Sequence, residues 1–107
     1  MPDHERQLKV LRLLEESPEL NQRQMAEQLG ISLGGLNYCL RALVEKGWVK
    51  MDNFSRNRNK LKYAYLLTPR GAVAKARLTA SFLNRKLKEY DALKLEIRAL
   101  RTEVDGV

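Results

Sequence analysis

The chain has 107 residues, with 20 Lys and Arg against 13 Asp and Glu and a formal net charge of +7. This length allows one domain with a modest core plus an extension, and the excess of positive charge favours a polyanionic partner. No stretch has the apolar run of a membrane span or the layout of a signal peptide, and a single cysteine excludes an intrachain disulfide. We therefore expect a soluble, cytoplasmic protein.

The positive charge is concentrated in one segment of the chain. Residues 1–52 carry seven basic and eight acidic side chains, residues 53–88 carry ten basic and no acidic ones, and residues 89–107 carry three basic and five acidic ones. A patch of this kind attracts polyanions and releases their counterions on binding, while the neutral flanks argue against indiscriminate adhesion. Residues 53–88, here called the basic segment, therefore indicate contact with a nucleic acid.

The N-terminal residues predict a first helix. Asp3 can cap it, because a short carboxylate accepts the first unpaired backbone N–H groups. Leu8, Leu11 and Leu14 then recur at the spacing of one helical face. The pair Ser17-Pro18 ends the helix, because a proline ring is incompatible with a helix interior.

A helix-turn-helix is predicted to follow. Asn21 and Gln24 have the spacing of a capping box, which begins a helix, and Gly30 offers the left-handed conformation that ends it. Small Ala26 stands where two helices must cross closely, and Ile31 can fill the corner between them. The alternative is a generic helical hairpin, which the pattern of the following residues disfavours.

The second helix of this pair is predicted to read DNA. Ser32 can cap it, and Gly47 ends it. Its buried face is expected to consist of Leu36, Cys39 or Leu40, Leu43 and Val44. The opposite face is expected to enter the major groove, with Asn37 as the best candidate for contact with a base edge. That face consists of Ser32, Leu33, Gly34, Asn37, Tyr38 and Arg41.

A two-stranded hairpin, the wing, is predicted next. Its strands are expected from Trp48, Val49 and Met51, and from Leu61, Tyr63, Tyr65 and Leu67 at period two. Residues 53–60 form a polar, turn-forming loop between them. Four cations along the hairpin, here called the wing cations, are Arg56, Arg58, Lys60 and Lys62. Because they follow the recognition helix directly, we expect them to neutralise phosphates, and the alternative is a merely solvated face.

A long helix is predicted from Pro69 to about Val104. Thr68 caps it, and proline suits the first helical position. Its length would be roughly 50 Å at about 1.5 Å per residue, which is more than the preceding domain can cover. Apolar residues alternate at spacings of three and four along it, which indicates a coiled-coil contact with a second copy. This C-terminal stripe consists of Leu83, Leu87, Tyr90, Leu93, Ile97, Leu100 and Val104.

Charges beside the stripe favour a parallel pair of helices. Glu89 and Glu96 occupy g positions of the heptad, and Lys94 and Arg101 occupy e positions. In a parallel pair these opposite charges meet across the contact, whereas an antiparallel pair would set Glu against Glu. Lys86 interrupts the apolar pattern at a d position, and the alternative is that the stripe packs on the domain of its own chain.

Several motifs together carry a resemblance to a known family. They are Ser32-Leu33-Gly34, Leu36-Asn37-Tyr38-Cys39-Leu40-Arg41-Ala42-Leu43, Glu45-Lys46-Gly47-Trp48-Val49, Asn59-Lys60-Leu61, Tyr65-Leu66-Leu67-Thr68-Pro69-Arg70-Gly71 and Lys75-Ala76-Arg77-Leu78-Thr79. With these residues the chain resembles the MarR-like winged-helix transcriptional regulators, and in particular a compact subgroup found beside bacterial exopolysaccharide gene clusters. Gly35 departs from the pattern, because a side chain able to touch DNA is expected there.

The resemblance implies a dimer on a pseudo-palindromic operator and control of exopolysaccharide genes. Larger members of the family often bind a small-molecule effector between domains. We identify no residues in this sequence that form such a pocket, so the effector is left open.

The sequence therefore predicts a mostly α protein, with a winged helix-turn-helix domain over residues 1–68 and a dimerisation helix over residues 69–107. Its predicted function is a homodimeric, sequence-specific regulator of transcription that binds double-stranded DNA. The alternative is a winged helix that binds RNA or a protein. An enzyme, a metal or another cofactor is not expected, because His4 and Cys39 are the only residues of their types and complete no catalytic set or metal cluster.

Overall fold

The computed structural model describes residues 2–53 and 63–106. Its elements in chain order are α1 (Pro2–Glu16), α2 (Gln22–Leu29), α3 (Leu33–Glu45), β1 (Val49–Asn53), β2 (Tyr63–Leu67) and α4 (Pro69–Asp105). The predicted fold class is confirmed, because helices dominate, two antiparallel strands form the base of a wing, and a long helix ends the chain. The domain boundary between residues 68 and 69 stays a prediction.

Helix α1 supplies one side of the core. Leu8, Leu11 and Leu14 are buried, as their spacing predicts. The predicted cap is wrong, because the helix already includes Pro2 and Asp3 therefore lies within the first turn. The fixed φ of proline suits the start of a helix, so the helix begins two residues earlier than a cap at Asp3 would indicate.

The core lies where α1, α2 and α3 meet the sheet. Ala26 is buried between the helices, as expected for a close crossing. The largest side chains that are fully buried are Leu11, Leu36, Leu40, Leu43, Val10 and Val49. Burial of a Leu or Val side chain contributes about 1.5–3 kcal/mol, so these contacts dominate the stability of a domain this small.

Backbone hydrogen bonds confirm both ends of α2. The Gln24 N–H donates to Asn21 Oδ1 at 2.8 Å, and the Asn21 N–H donates to Gln24 Oε1 at 3.0 Å, which is a complete capping box. Gly30 adopts the left-handed conformation with φ of 68°, and the Ile31 N–H donates to the Ala26 carbonyl at 3.1 Å. This tight turn directs the chain into α3.

Strands β1 and β2 pair in antiparallel register, with Val49 opposite Leu67 and Met51 opposite Tyr65. Tyr65 and Leu67 pack against the core, as the period-two pattern predicts. Asn53, expected in the loop, is instead the last residue of β1. The predicted strand residue Leu61 and the wing cations lie outside the described residues.

The start of α4 is tied to the end of α3. The Thr68 N–H donates to the Trp48 carbonyl at 2.9 Å, and the Thr68 hydroxyl donates to the Gly47 carbonyl at 2.6 Å. The same hydroxyl oxygen accepts the Gly71 N–H at 3.0 Å, so Thr68 caps α4 as predicted. At Gly71 a Cβ would collide with the Trp48 carbonyl oxygen and would lie 2.8 Å from Leu67 Cδ1, so the close approach requires glycine.

Beyond its first turns, α4 leaves the domain. It contains 37 residues, and every residue from 83 to 106 is exposed. At about 1.5 Å per residue the helix is roughly 55 Å long, and it accounts for the 70 Å long axis of the chain, whose other extents are 26 and 20 Å. The predicted long helix is thus confirmed.

Candidate nucleic-acid interface

Helix α3 has one buried and one exposed face. Ser32 caps it, with its Oγ accepting the Gly35 N–H at 3.0 Å. Leu36, Leu40 and Leu43 are completely buried and hold the helix against α1 and α2. Because three leucines fix the rotation of the helix about its own axis, the identity of the outward-facing residues is fixed as well.

The residues predicted to read DNA lie on that outward side. Tyr38 is 79% exposed and Leu33 is 41% exposed, although both carry large apolar groups. Asn37 is half-buried. Ser32, Gly34 and Arg41 are exposed. The structure therefore brings all six residues to one accessible surface, and their contact with DNA stays a prediction.

The two glycines at the start of α3 have different surroundings. A Cβ on Gly34 would meet nothing within 4 Å, so that position is open. A Cβ on Gly35 would lie 3.1 Å from Ser32 Oγ and 3.9 Å from Arg6 Nη1. Gly35 thus departs from the family's pattern as the sequence indicates, and a Cβ there would fit only if the Ser32 cap shifted by a few tenths of an ångström.

Arg6 is the cation that sequence reasoning did not identify. Its side chain is exposed, and its guanidinium reaches the N-terminal turn of α3 beside Gly35. It therefore places positive charge next to the end of the helix that is predicted to enter the groove. Nothing local in the sequence indicates this, because 29 residues separate Arg6 from Gly35 and only the packing of α1 brings them together.

Trp48 lies at the junction between α3 and the wing. Its side chain is half-buried and packs against the core. The Lys46 Nζ lies 4.6 Å from the centroid of the indole ring and donates a hydrogen bond to Gln7 Oε1 at 3.1 Å. This cation–π contact fixes the end of α3 at the point where the chain enters the wing.

A cleft of about 350 Å³ opens beside the indole ring of Trp48. It is lined by Trp48, Arg70, Val73, Ala74, Arg77 and Leu78. The sequence indicates no residues that form an effector pocket, whereas the structure brings two arginines and an apolar floor together here.

Among the described residues of the basic segment, two cations pair with acids. Lys75 pairs with Glu15 of α1 at 2.9 Å, and Lys86 pairs with Glu89 at 3.2 Å. The wing cations cannot be placed, because residues 54–62 lie outside the described residues. Their role as phosphate contacts stays a prediction.

The C-terminal stripe lies on the free part of α4. Its seven side chains are between 42% and 75% exposed. They do not pack on the domain of their own chain, so that alternative reading of the pattern fails. Large apolar side chains spaced along one helical face and left in solvent indicate a missing partner.

Two further classes of site were sought in the described parts of the chain. No group of three or more His, Cys, Asp or Glu side chains could hold a metal ion there. Within the same residues, no helix is both long and apolar enough to cross a membrane.

Comparisons with known proteins identify the fold. Residues 3–50 match the family model described as winged helix-turn-helix DNA-binding. Among solved structures, the PcaV transcriptional regulator from Streptomyces coelicolor superposes with a TM-score of 0.67 at 19% identity, over 94% of this chain and 79% of that one. No match to this sequence was found among curated proteins.

Two other solved structures are similar. Wild-type MarR from E. coli in its apo form has a TM-score of 0.63 at 23% identity, over 88% of this chain and 75% of that one. Wild-type ZitR from Lactococcus lactis in complex with DNA has a TM-score of 0.60 at 23% identity, over 81% of this chain and 57% of that one. The chain thus has the winged helix-turn-helix fold, and the similar structures include MarR itself and a further protein described as a transcriptional regulator, which confirms the resemblance at the level of the fold.

Proposed function

We propose that this protein is a transcription regulator that binds double-stranded DNA sequence-specifically as a homodimer. The observation that carries the proposal is the outward face of α3, where the six residues predicted to contact DNA lie opposite three completely buried leucines. An α-helix of this kind fits the major groove, where each base pair presents a distinct pattern of donors and acceptors.

The comparisons and the charge distribution support the same function. The matched family model describes DNA-binding proteins, and the similar ZitR was solved with DNA. The basic segment adds the positive charge that a phosphate backbone requires.

Readout is assigned chiefly to Asn37. An amide can bond in a bidentate manner to adenine, and loss of one such contact costs about 1–3 kcal/mol. Asn37→Ala is therefore expected to weaken operator binding by that amount and to leave binding to random DNA nearly unchanged. Asn84→Ala is the matched control, because it makes the same chemical change at an exposed position of α4. Equal losses on both DNAs for Asn37→Ala would remove this residue from the specificity assignment.

The operator is proposed to be an inverted repeat. A two-fold dimer presents two copies of α3 to successive major grooves, which lie about 34–36 Å apart on one side of the duplex. Selection of bound sites from random duplex DNA is the direct experiment, because it gives the half-site and its spacing together. Recovery of no enriched sequence would contradict sequence-specific binding.

The runner-up function is an RNA-binding or protein-interaction module. The acid-free basic segment disfavours a protein partner of ordinary composition. A gel shift with the selected duplex, competed by single-stranded DNA or RNA, separates the remaining possibilities. We propose control of exopolysaccharide genes from the motif resemblance only, and transcript levels around such a cluster in a deletion strain test it.

A further inference from the structure

The free face of α4 continues toward the DNA-binding domain beyond the C-terminal stripe. Gly71 and Ala74 are buried against the domain, and Leu78 is half-buried on the same side. Ala72 and Ala76 are exposed. Each residue turns a helix by about 100°, so Ala72 and Ala76 lie roughly opposite Ala74 and face away from their own domain.

These exposed residues have the heptad phase of the stripe. Leu83 occupies an a position, so counting backward places Thr79 at d, Ala76 at a and Ala72 at d. Thr79 is exposed as well. The stripe from Leu83 to Val104 spans about three heptads, and the same phase continued back to Ala72 spans more than four, with the small residues Ala72, Ala76 and Thr79 in place of large apolar ones.

A groove lies along this exposed face of α4. It has a volume of about 490 Å³, and Glu15 of α1 stands at its edge. Its floor is formed by Ala72, Ala76, Thr79, Ala80 and Leu83, and the Lys75 to Glu15 ion pair of 2.9 Å closes one side. The side chains on the floor are small except for Leu83, so a helix lying in the groove would approach α4 closely.

We propose that the occupant is α4 of a second copy, and that the two helices run parallel and in contact from Ala72 to Val104. The contact therefore begins beside the DNA-binding domains and not at Leu83. This inference rests on the homodimer of the proposed function. It assigns to that dimer the extent of the contact between the two helices and their relative direction.

Side chains that flank the stripe are complementary for this arrangement. In a parallel pair each g position faces the following e position of the partner, which joins Glu89 to Lys94 and Glu96 to Arg101. The same rule joins Phe82, which is half-buried in the single chain, to Leu87, which is 50% exposed. An antiparallel pair would instead set like charges together.

Lys86, the polar residue of the stripe, is compatible with the contact. Its Nζ lies 3.2 Å from Glu89 Oε2 and 5.1 Å from the centroid of the Phe82 ring. The charged end is thus held at the g side of its own helix, while the alkyl stem remains on the contact face. Polar residues in the seam of a coiled coil, here Thr79 and Lys86, lower its stability and can specify its register.

The extended contact has a consequence for DNA binding. The small side chains of Ala72 and Ala76 hold the two helices close at the point where the domains are attached. The separation of the two copies of α3 therefore depends on these residues, although neither touches DNA. Ala76→Leu is expected to leave the protein dimeric and to weaken binding to the wild-type operator, and Ala99→Leu, off the stripe on the same helix, is expected to change neither.

Disulfide trapping in the full-length protein tests the proposal directly. A disulfide requires Cα atoms within about 7 Å. In a parallel, in-register pair every a position meets this limit, whereas in an antiparallel pair only a residue near the two-fold axis does, so positions 76 and 97 cannot both form disulfides there. Single cysteines are introduced as Ala76→Cys, as Ile97→Cys, which lies in the stripe, and as Ala99→Cys, which is exposed but lies off it. Cys39 is buried in the core and is retained. Mild oxidation is followed by non-reducing electrophoresis and sedimentation.

The expected result is a covalent dimer for Ala76→Cys and Ile97→Cys, and none for Ala99→Cys. A covalent dimer for Ile97→Cys alone would overturn the extension to Ala72 and leave the homodimer standing. A wild type that sediments as a dimer but forms no covalent dimer at Ile97→Cys would overturn the parallel direction. A monomeric wild type would overturn the homodimer and this proposal together.

Discussion

The substitution Gly71→Ala tests how α4 is joined to the DNA-binding domain. The Trp48 carbonyl that a new Cβ would strike is backbone, and it is already held by the Thr68 N–H at 2.9 Å, so it cannot turn aside as a flexible side chain would. Relief requires that the start of α4 move away from the sheet. Overpacking of this kind costs about 1–3 kcal/mol.

Loss of hydrogen bonds adds to that cost. Moving α4 weakens the bonds from Thr68 to the Trp48 and Gly47 carbonyls, each worth about 0.5–1.5 kcal/mol. The better helix propensity of alanine offsets at most about 1 kcal/mol of this cost. We therefore expect a net destabilisation of about 2 kcal/mol, which for a domain of this size lowers the melting temperature by about 10 °C.

Gly34→Ala is the matched control for this prediction. It is the same substitution in the first turn of a helix, but a Cβ there meets nothing within 4 Å. Its expected effect has the opposite sign, a gain of about 0.5 kcal/mol from the reduced entropy of the unfolded chain. Thermal and urea unfolding of both variants at one protein concentration checks the pair, since dimerisation makes stability concentration-dependent. A Gly71→Ala protein as stable as Gly34→Ala would refute the close approach at Trp48.

Three further predictions concern assembly and DNA contact. Ile97→Lys should place an unpaired charge in the dimer contact and yield monomers with weak operator binding. Leu95→Lys, also at an exposed position but off the stripe, should stay dimeric in sedimentation. Arg6→Ala should weaken binding to operator and random DNA alike and reduce the salt slope of log K by up to about 0.9. Arg12→Ala, at an exposed position elsewhere on α1, should change neither the binding nor the slope. Replacing two wing cations with alanine should reduce that slope by up to about 1.8 without changing specificity, and an unchanged slope would rule out phosphate contacts by the wing.

Local chemistry made much of the fold predictable. The caps at Asn21, Ser32 and Thr68 join each side chain to a backbone N–H three residues later, so all the information lies within one helical turn. Gly30 and Gly47 both adopt positive φ at the helix ends where their identity predicts it. The spacing of the C-terminal stripe was predictable as well, because the period of an α-helix does not depend on which residues pack against it.

Other features depend on which distant residues meet. The start of α1 was misplaced because a proline and an aspartate give competing local signals. In the sequence, Gly71 is recognisable only as part of a motif. The requirement for glycine at this position appears when β1 and α4 pack together and the Trp48 carbonyl lies against it. The placement of Arg6 beside Gly35 likewise needs the crossing of α1 and α3.

The reason is physical. A hydrogen bond or a steric limit within one turn is set by bond geometry, so residue types at a fixed spacing determine it. A contact between residues far apart in the chain depends on the rotation and offset of whole helices, which the combined packing of the core decides. The sequence therefore predicted a DNA-contacting face on α3 and determined an apolar face on α4. The tertiary structure decided that Arg6 lies beside the first turn of α3 and that the domain leaves the apolar face of α4 uncovered.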